Sequence, residues 1–112
     1  MGFRFHLLGL PHTVSNLSYS NFQRLNCTTA CNLTGVAPPS GGVHTDGRIL
    51  RIVNTGTANL TLVHNSASSA TANRFFNVAG ANLVIAPNDY AELMYDATDN
   101  GRATSSPGWR VY

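Results

Sequence analysis

The chain has 112 residues, a formal net charge of +2 and few charged residues, 11%, against the roughly 25% that is usual for globular proteins. This length fits one domain with a modest core, and a hydrophobic share of 43% argues against a disordered chain. All seven cations are arginines, and they are scattered rather than clustered as in nucleic-acid-binding proteins. No apolar run approaches the ~20 residues of a membrane span. We therefore expect neither a nucleic-acid nor a membrane partner.

Residues 1–23 differ from the rest of the chain, because they are rich in apolar side chains but show no helical period. An apolar segment of this kind must be buried against something. We predict an N-terminal arm that anchors to a neighbouring subunit or to a larger shell, for example by adding a strand to a sheet. The alternative is that the segment supplies one or two strands of the same domain. The apolar residues on which this prediction rests are Phe3, Phe5, Leu7, Leu8, Leu10, Tyr19 and Phe22.

Two cysteines, Cys27 and Cys31, are four residues apart. A disulfide between them would close a small loop and stabilise little. A metal site needs about four ligands, and the spacing matches no zinc-finger or zinc-ribbon pattern. We expect free, partly buried thiols, with a disulfide and a metal site as the alternatives.

The stretch over residues 48–64 organises the predicted fold. Of two apolar runs, residues 59–64 alternate with the period of two that is typical of a strand with one buried face. In the other run, residues 49–53, Leu50 and Ile52 share one face and Arg51 interrupts the opposite one. The five residues between the two runs include Gly and Asn, which fits a hairpin loop. We predict a central β-hairpin, with Leu60 and Leu62 on one face of its second strand.

Further strands are predicted over residues 73–78, 82–86 and 90–96 and at the C-terminus, each bounded by turn residues. In the third of these, Ala91, Leu93 and Tyr95 share one face. Short strands with turns every 8–12 residues are typical of sandwiches and barrels. We predict an all-β fold, an antiparallel β-sandwich or jelly-roll-like barrel over residues 24–112 that follows the arm of residues 1–23.

Residues that could carry chemistry are few. Most of the carboxylates lie in or beside turns, where Asp is favoured for backbone hydrogen bonding alone. His64 continues the inward row of the hairpin and is interpreted as a satisfied core or interface histidine. No serine lies in a nucleophile elbow, and no phosphate or dinucleotide motif is present. We therefore expect no enzyme, cofactor or metal, and we interpret the aromatic residues as core or interface rather than as a sugar platform.

A set of turn and strand signatures recurs in order along most of residues 25–112. They are Asn32-Leu33-Thr34-Gly35, Ile52-Val53-Asn54-Thr55-Gly56, Ala72-Asn73-Arg74, Ala86-Pro87-Asn88-Asp89, Tyr95-Asp96 and Trp109-Arg110. In this order they resemble a recurrent β domain of tailed-phage virion proteins, found in capsid decoration proteins and in tail-fibre or tail-associated proteins. The sequence departs from that pattern in its first 23 residues and in a long segment over residues 99–107.

The resemblance implies a structural protein of the virion, assembled in the host cytoplasm and associating as a homotrimer. We expect a capsid cement or decoration protein that binds the major capsid protein or other virion proteins and stabilises the shell. The alternative is a tail-fibre or receptor-binding module that contacts a host glycan. A free-standing carbohydrate-binding or small hydrolytic domain is a third, weaker hypothesis. Apart from the seven apolar residues of the arm, the residues that we predict at interfaces are Arg74, Trp109 and Tyr112.

Overall fold

The computed structural model describes residues 13–38, 46–98 and 107–111, and this part of the chain is all-β. It contains one 3-10 turn, Thr71–Asn73, and otherwise only strands joined by turns and loops. The all-β part of the predicted fold is therefore confirmed. The strands are β1 Thr13–Val14, β2 Leu17–Ser18, β3 Phe22–Leu25, β4 Cys31–Leu33, β5 Val36–Ala37, β6 Ile49–Asn54, β7 Leu60–Leu62, β8 Phe75–Asn77, β9 Leu83–Ile85, β10 Tyr90–Asp96 and β11 Gly108–Val111.

The strands form three sheets. A five-stranded sheet has the order β3-β6-β10-β11-β8, a four-stranded sheet has the order β1-β4-β7-β9, and β2 pairs with β5 alone. β1, β2 and β3 belong to the four-stranded, two-stranded and five-stranded sheets, in that order, and β4, β5 and β6 repeat this order. β7 then belongs to the four-stranded sheet again. The N-terminal half of the described chain therefore winds in two stacked coils.

Equivalent strands of successive coils pair in parallel. Residues at equivalent positions therefore stack in rows. Thr13 pairs with Asn32, 19 positions later, whereas Phe22 pairs with Arg51, 29 positions later. The second coil is therefore longer by ten residues, all of them in the connection from β5 to β6. One stacked row consists of Val14, Leu33 and Leu62.

The predicted antiparallel architecture is wrong for most of the described strands. Five of the eight strand pairings are parallel, and only β6–β10, β10–β11 and β7–β9 are antiparallel. A jelly roll is an antiparallel arrangement, so that part of the prediction fails. The physical reason is the winding of the chain, because consecutive strands move to different sheets and pair with the strand one coil away.

The predicted central hairpin is also wrong, although both of its strands exist. β6 belongs to the five-stranded sheet and β7 to the four-stranded sheet. The connection between them is fastened to other parts of the chain. Thr57 and Ala58 both donate their backbone N–H groups to Cys27 O, and a Cβ on Gly56 would collide with the backbone of Cys27. The connection therefore crosses between sheets where a hairpin turn would fold back.

The alternating patterns correctly predict which side chains are buried. Leu50, Ile52, Leu60 and Leu62 are fully buried, and the side chains of β10 alternate between exposed and buried as predicted. Both large sheets contribute to one hydrophobic cluster, which accounts for the shared core of the described residues. Because burial of apolar surface contributes about 25 cal/mol per Å², this cluster is the main source of stability.

Residues 13–23 supply β1, β2 and the first half of β3, as the alternative to an arm expected. The predicted boundary between residues 23 and 24 lies within β3, which pairs in parallel with β6 from Phe22 to Leu25. The apolar arm residues before position 13 lie outside the described residues.

The two cysteines form a disulfide rather than the free thiols that we expected. Their Cα atoms are 5.9 Å apart, within the range that a disulfide requires. Both side chains are buried, at the corner where the chain passes from β3 to β4. Spacing in sequence alone could not show this corner.

Candidate interaction surface

The carboxylates of the described residues have structural partners. Glu92 accepts from Arg51 at 2.8 Å, and Asp96 accepts from Arg110 at 3.0 Å. Asp89 accepts a hydrogen bond from the backbone N–H of the next residue, Tyr90. Asp46 accepts a hydrogen bond from the backbone N–H of Ala97. These contacts agree with the interpretation of the acidic residues as turn and ion-pair groups.

Trp109, predicted at an interface, is instead a core residue. It is fully buried, and its indole N–H donates to Val36 O at 2.7 Å. Its ring meets the edge of Tyr95 at 4.9 Å between centroids and stacks on Tyr19 at 5.9 Å. Tyr19, also predicted at an interface, is partly buried and donates its hydroxyl hydrogen to Ile49 O. A partner protein could not reach Trp109 in this fold.

The other predicted interface residues fall into two groups. Phe22 is 38% exposed at the edge strand β3, with the Arg24 guanidinium 4.5 Å from its ring centroid. Arg74 is partly buried, and its Nε donates to Ser69 O at 3.0 Å, so it fastens a loop rather than presenting a free cation. The remaining ones, Phe3, Phe5, Leu7, Leu8, Leu10 and Tyr112, lie outside the described residues.

His64 has the structural role that its position in the sequence indicates. Its Nδ1 accepts the backbone N–H of Asn77 at 3.0 Å, and its ring meets the edge of Phe76. Asn77 in turn donates from its amide to Leu62 O and Ala81 O. These hydrogen bonds join the end of β7 to β8, and they give His64 Nδ1 a structural partner.

A groove between β9 and β10 gathers exposed apolar side chains that the sequence reasoning did not assign to a site. The groove has a volume of about 600 Å³. Three of the five exposed large hydrophobic residues among those described line it: Val84 at 53%, Tyr90 at 65% and Met94 at 37% exposure. Clustered exposed apolar side chains mark interaction sites more often than scattered ones do. We define this surface as the β9–β10 groove.

The signal for the groove was present in the sequence but incomplete. The alternation of β10 places Tyr90, Glu92 and Met94 on its outer face, which the structure confirms. What the alternation lacked was the position of β9, whose Val84 brings a third apolar side chain to the same place. The proximity of β9 and β10 at this groove depends on how the two large sheets are arranged, and local pattern does not reveal it.

The chain matches no family model, no curated protein and no solved structure. No helix in the described ranges has the length and apolarity needed to cross a bilayer. Across residues 13–38, 46–98 and 107–111, His, Cys, Asp and Glu side chains form no group of three that could hold a metal ion.

Proposed function

We propose that this chain is a structural protein of a phage virion, and specifically a cement protein that binds and stabilises the capsid shell as a homotrimer. Its partners are copies of itself and the major capsid protein or other virion proteins. The observation that carries the proposal is the β9–β10 groove, which gathers exposed apolar side chains on a small all-β domain. The resemblance of the turn and strand signatures to phage virion domains supplies the biological setting.

Two ion pairs within the chain lie on the outer face of the five-stranded sheet, and Glu92 of one pair lines the groove. Arg51 pairs with Glu92 and Arg110 pairs with Asp96, so these four charges stabilise the outer face of the five-stranded sheet. Such partly exposed pairs contribute about 0–1 kcal/mol each.

We also propose that the four-stranded and five-stranded sheets are the two layers of the predicted sandwich. Leu33 and Leu60 of the first sheet share a hydrophobic cluster with Ile52 and Leu93 of the second. Two sheets that bury their inner faces against each other are the defining feature of a sandwich.

The second candidate function is a receptor-binding module that contacts a host glycan. Tyr90 favours it, because this ring is 65% exposed in a groove that also contains the carboxylates Asp89 and Glu92. An exposed aromatic face and neighbouring hydrogen-bond acceptors could bind a sugar ring. Apolar Val84 and Met94 in the same groove favour a protein partner instead.

The test is sedimentation of purified full-length protein with capsid shells that lack it. Deleting residues 1–23 would remove β1, β2 and half of β3, so the anchoring segment is altered by substitution instead. One variant carries Phe3→Ser, Phe5→Ser and Leu7→Ser, and its matched control carries Arg4→Ser and His6→Ser. If the apolar residues anchor the protein, the wild type and the control sediment with shells to saturation and the triple variant stays in the supernatant.

Failure of the wild-type protein to bind shells would refute the cement function. In that case, adsorption to host cells that is lost in Tyr90→Ala would support the receptor-binding function. Binding by the wild type and the triple variant alike would keep the cement function but remove the arm as its anchor.

A further inference from the structure

We propose that the β9–β10 groove receives the N-terminal segment, residues 3–8, of a neighbouring copy of this chain, which adds a strand to the outer edge of β9. This inference rests on the proposed function for its setting and deepens it, because it names the contact that builds the oligomer. Its evidence is the geometry of the groove, the backbone of β9 and the composition of the N-terminal segment.

β9 is the last strand of the four-stranded sheet among the described residues, and its outer edge carries open backbone groups. Cys31 donates its N–H to Asn59 O, and Val63 donates its N–H to Leu33 O, so the odd-numbered residues around β7 bond to β4. Leu60 and Leu62 therefore bond to β9, since backbone groups alternate in direction along a strand. These two residues lie opposite Ile85 and Leu83.

Val84 lies between those two bonded positions of β9, so its N–H and C=O point away from the sheet. An edge of this kind is a template for another strand. Its side chain is 53% exposed in the groove together with Tyr90 and Met94. A segment added here would form main-chain hydrogen bonds with Val84 and bury apolar side chains against its neighbours, which is the usual mode of β-augmentation.

The N-terminal segment has the composition that this site requires. Phe3, Phe5 and Leu7 alternate with Arg4 and His6, so an extended conformation would present an apolar face and a basic face. The lining of the groove likewise combines apolar side chains with two carboxylates, Asp89 and Glu92, of which Glu92 also pairs with Arg51. Complementary charge favours the correct partner and register.

The segment of the same chain is too short to reach the groove. β1 and β9 are the opposite edges of the four-stranded sheet, so a strand added outside β9 lies four strand spacings from β1, about 19 Å. From Leu8 to Thr13 the chain advances five residues, which span at most about 18 Å even fully stretched. A path around the molecule is longer still. Even the straightest path would need the chain fully stretched, whereas the segment of a neighbouring copy has no such limit, so we assign the groove to a neighbouring copy.

The experiment uses the full chain in solution, without shells, so that its outcome is independent of shell binding. Sedimentation velocity measures the oligomeric state of the wild type and of Val84→Pro. Proline removes the outward N–H yet is tolerated on edge strands, and circular dichroism checks that the variant folds. The matched control is Val78→Asp, at a valine that is 67% exposed outside the groove. We expect oligomers for the wild type and the control. In Val84→Pro we expect association to be at least tenfold weaker, so that the protein sediments mainly as monomer.

Cysteine cross-linking identifies the occupant. Val84→Cys is combined in turn with Phe3→Cys, Phe5→Cys or Leu7→Cys, and the native cysteines do not interfere because they are paired. We expect one combination to form covalent oligomers on oxidation, since cross-strand neighbours lie within disulfide reach. A monomeric wild type, an oligomer that survives Val84→Pro, a cross-link confined within single chains, or no cross-link in any combination would each overturn the proposal.

Discussion

Replacing Asn54 by alanine tests whether the crossing between the two large sheets is held by one side chain. Asn54 is fully buried at the end of β6. Its amide donates to Ala58 O at 2.7 Å and to Ile85 O at 3.0 Å, and its Oδ1 accepts the N–H of Gly56 at 2.9 Å. One side chain therefore fixes the loop in its crossing path and joins it to β9.

The expected cost follows from these three bonds. The alanine variant leaves the Gly56 N–H and the Ala58 carbonyl without these partners, and an unsatisfied buried polar group costs about 1–3 kcal/mol. The Ile85 carbonyl adds less, because it faces Leu60 across the strand pair and has a second bond there. We expect the free energy of unfolding to fall by about 4 kcal/mol, a large part of the 5–15 kcal/mol that is typical of a domain.

Urea unfolding followed by the fluorescence of Trp109, the single tryptophan and a buried one, measures this change. The matched control is Asn59→Ala, at an exposed asparagine in the same connection. We expect the control to change stability by less than about 0.5 kcal/mol, as surface substitutions usually do. A loss of about 1 kcal/mol or less in Asn54→Ala would refute the reasoning, because the crossing would then be held by other contacts.

Three further predictions concern the same core. Gly56→Ala should lower the free energy of unfolding by about 1–3 kcal/mol, because its new methyl group meets the backbone of Cys27, which cannot swing aside; thermal unfolding measures the loss. Reducing the disulfide of Cys27 and Cys31 should cost about 2 kcal/mol, the chain-entropy value for a loop of five residues, and unchanged urea midpoints with and without reductant would contradict this. Burial raises the pKa of Tyr95, whose hydroxyl donates to Ala72 O. The folded state therefore holds this proton more tightly, and stability should fall as the pH rises above about 10, less so in Tyr95→Phe.

Which side chains are buried could be predicted well from the sequence. Alternation in β10 separated buried Leu93 and Tyr95 from exposed Tyr90 and Met94, and the structure agrees. Successive side chains of a strand point to opposite faces, so an alternating sequence shows which face is buried whatever the neighbouring strand is. For that reason the pattern succeeded even where the assumed pairing was wrong.

Strand partners could not be predicted, because pairing depends on where the chain goes between strands. The turn-rich residues 54–58 fit a hairpin loop by composition, but Asn54 and Gly56 serve the crossing between sheets. The two coils have no constant repeat length, since the pairing offset changes from 19 to 29 positions. Apolarity and position in the sequence favour an interface role for Trp109, and only the topology shows that it contacts Val36 in the core.

The candidate site divides in the same way. Residues of the N-terminal segment were identified from their apolarity alone, whereas the β9–β10 groove required the structure. The outward face of Tyr90 was predictable, but its proximity to Val84 was not. Local pattern can therefore supply one side of a contact, and topology supplies the other.

Winding in parallel coils also dictates how this protein can fold. A hairpin closes within a few residues. Here β1 pairs with β4, 19 positions along the chain, and β3 pairs with β6, 29 positions along the chain. Each pairing closes a long loop before any contact stabilises it, which is the situation that slows folding. On a ribosome that adds about 5–20 residues each second, the first coil would be synthesised a second or more before its partners. Among the described strand pairings, β10 with β11 closes the shortest loop, 12 positions between Asp96 and Gly108. The earliest stable structure should therefore be sought in these two antiparallel strands.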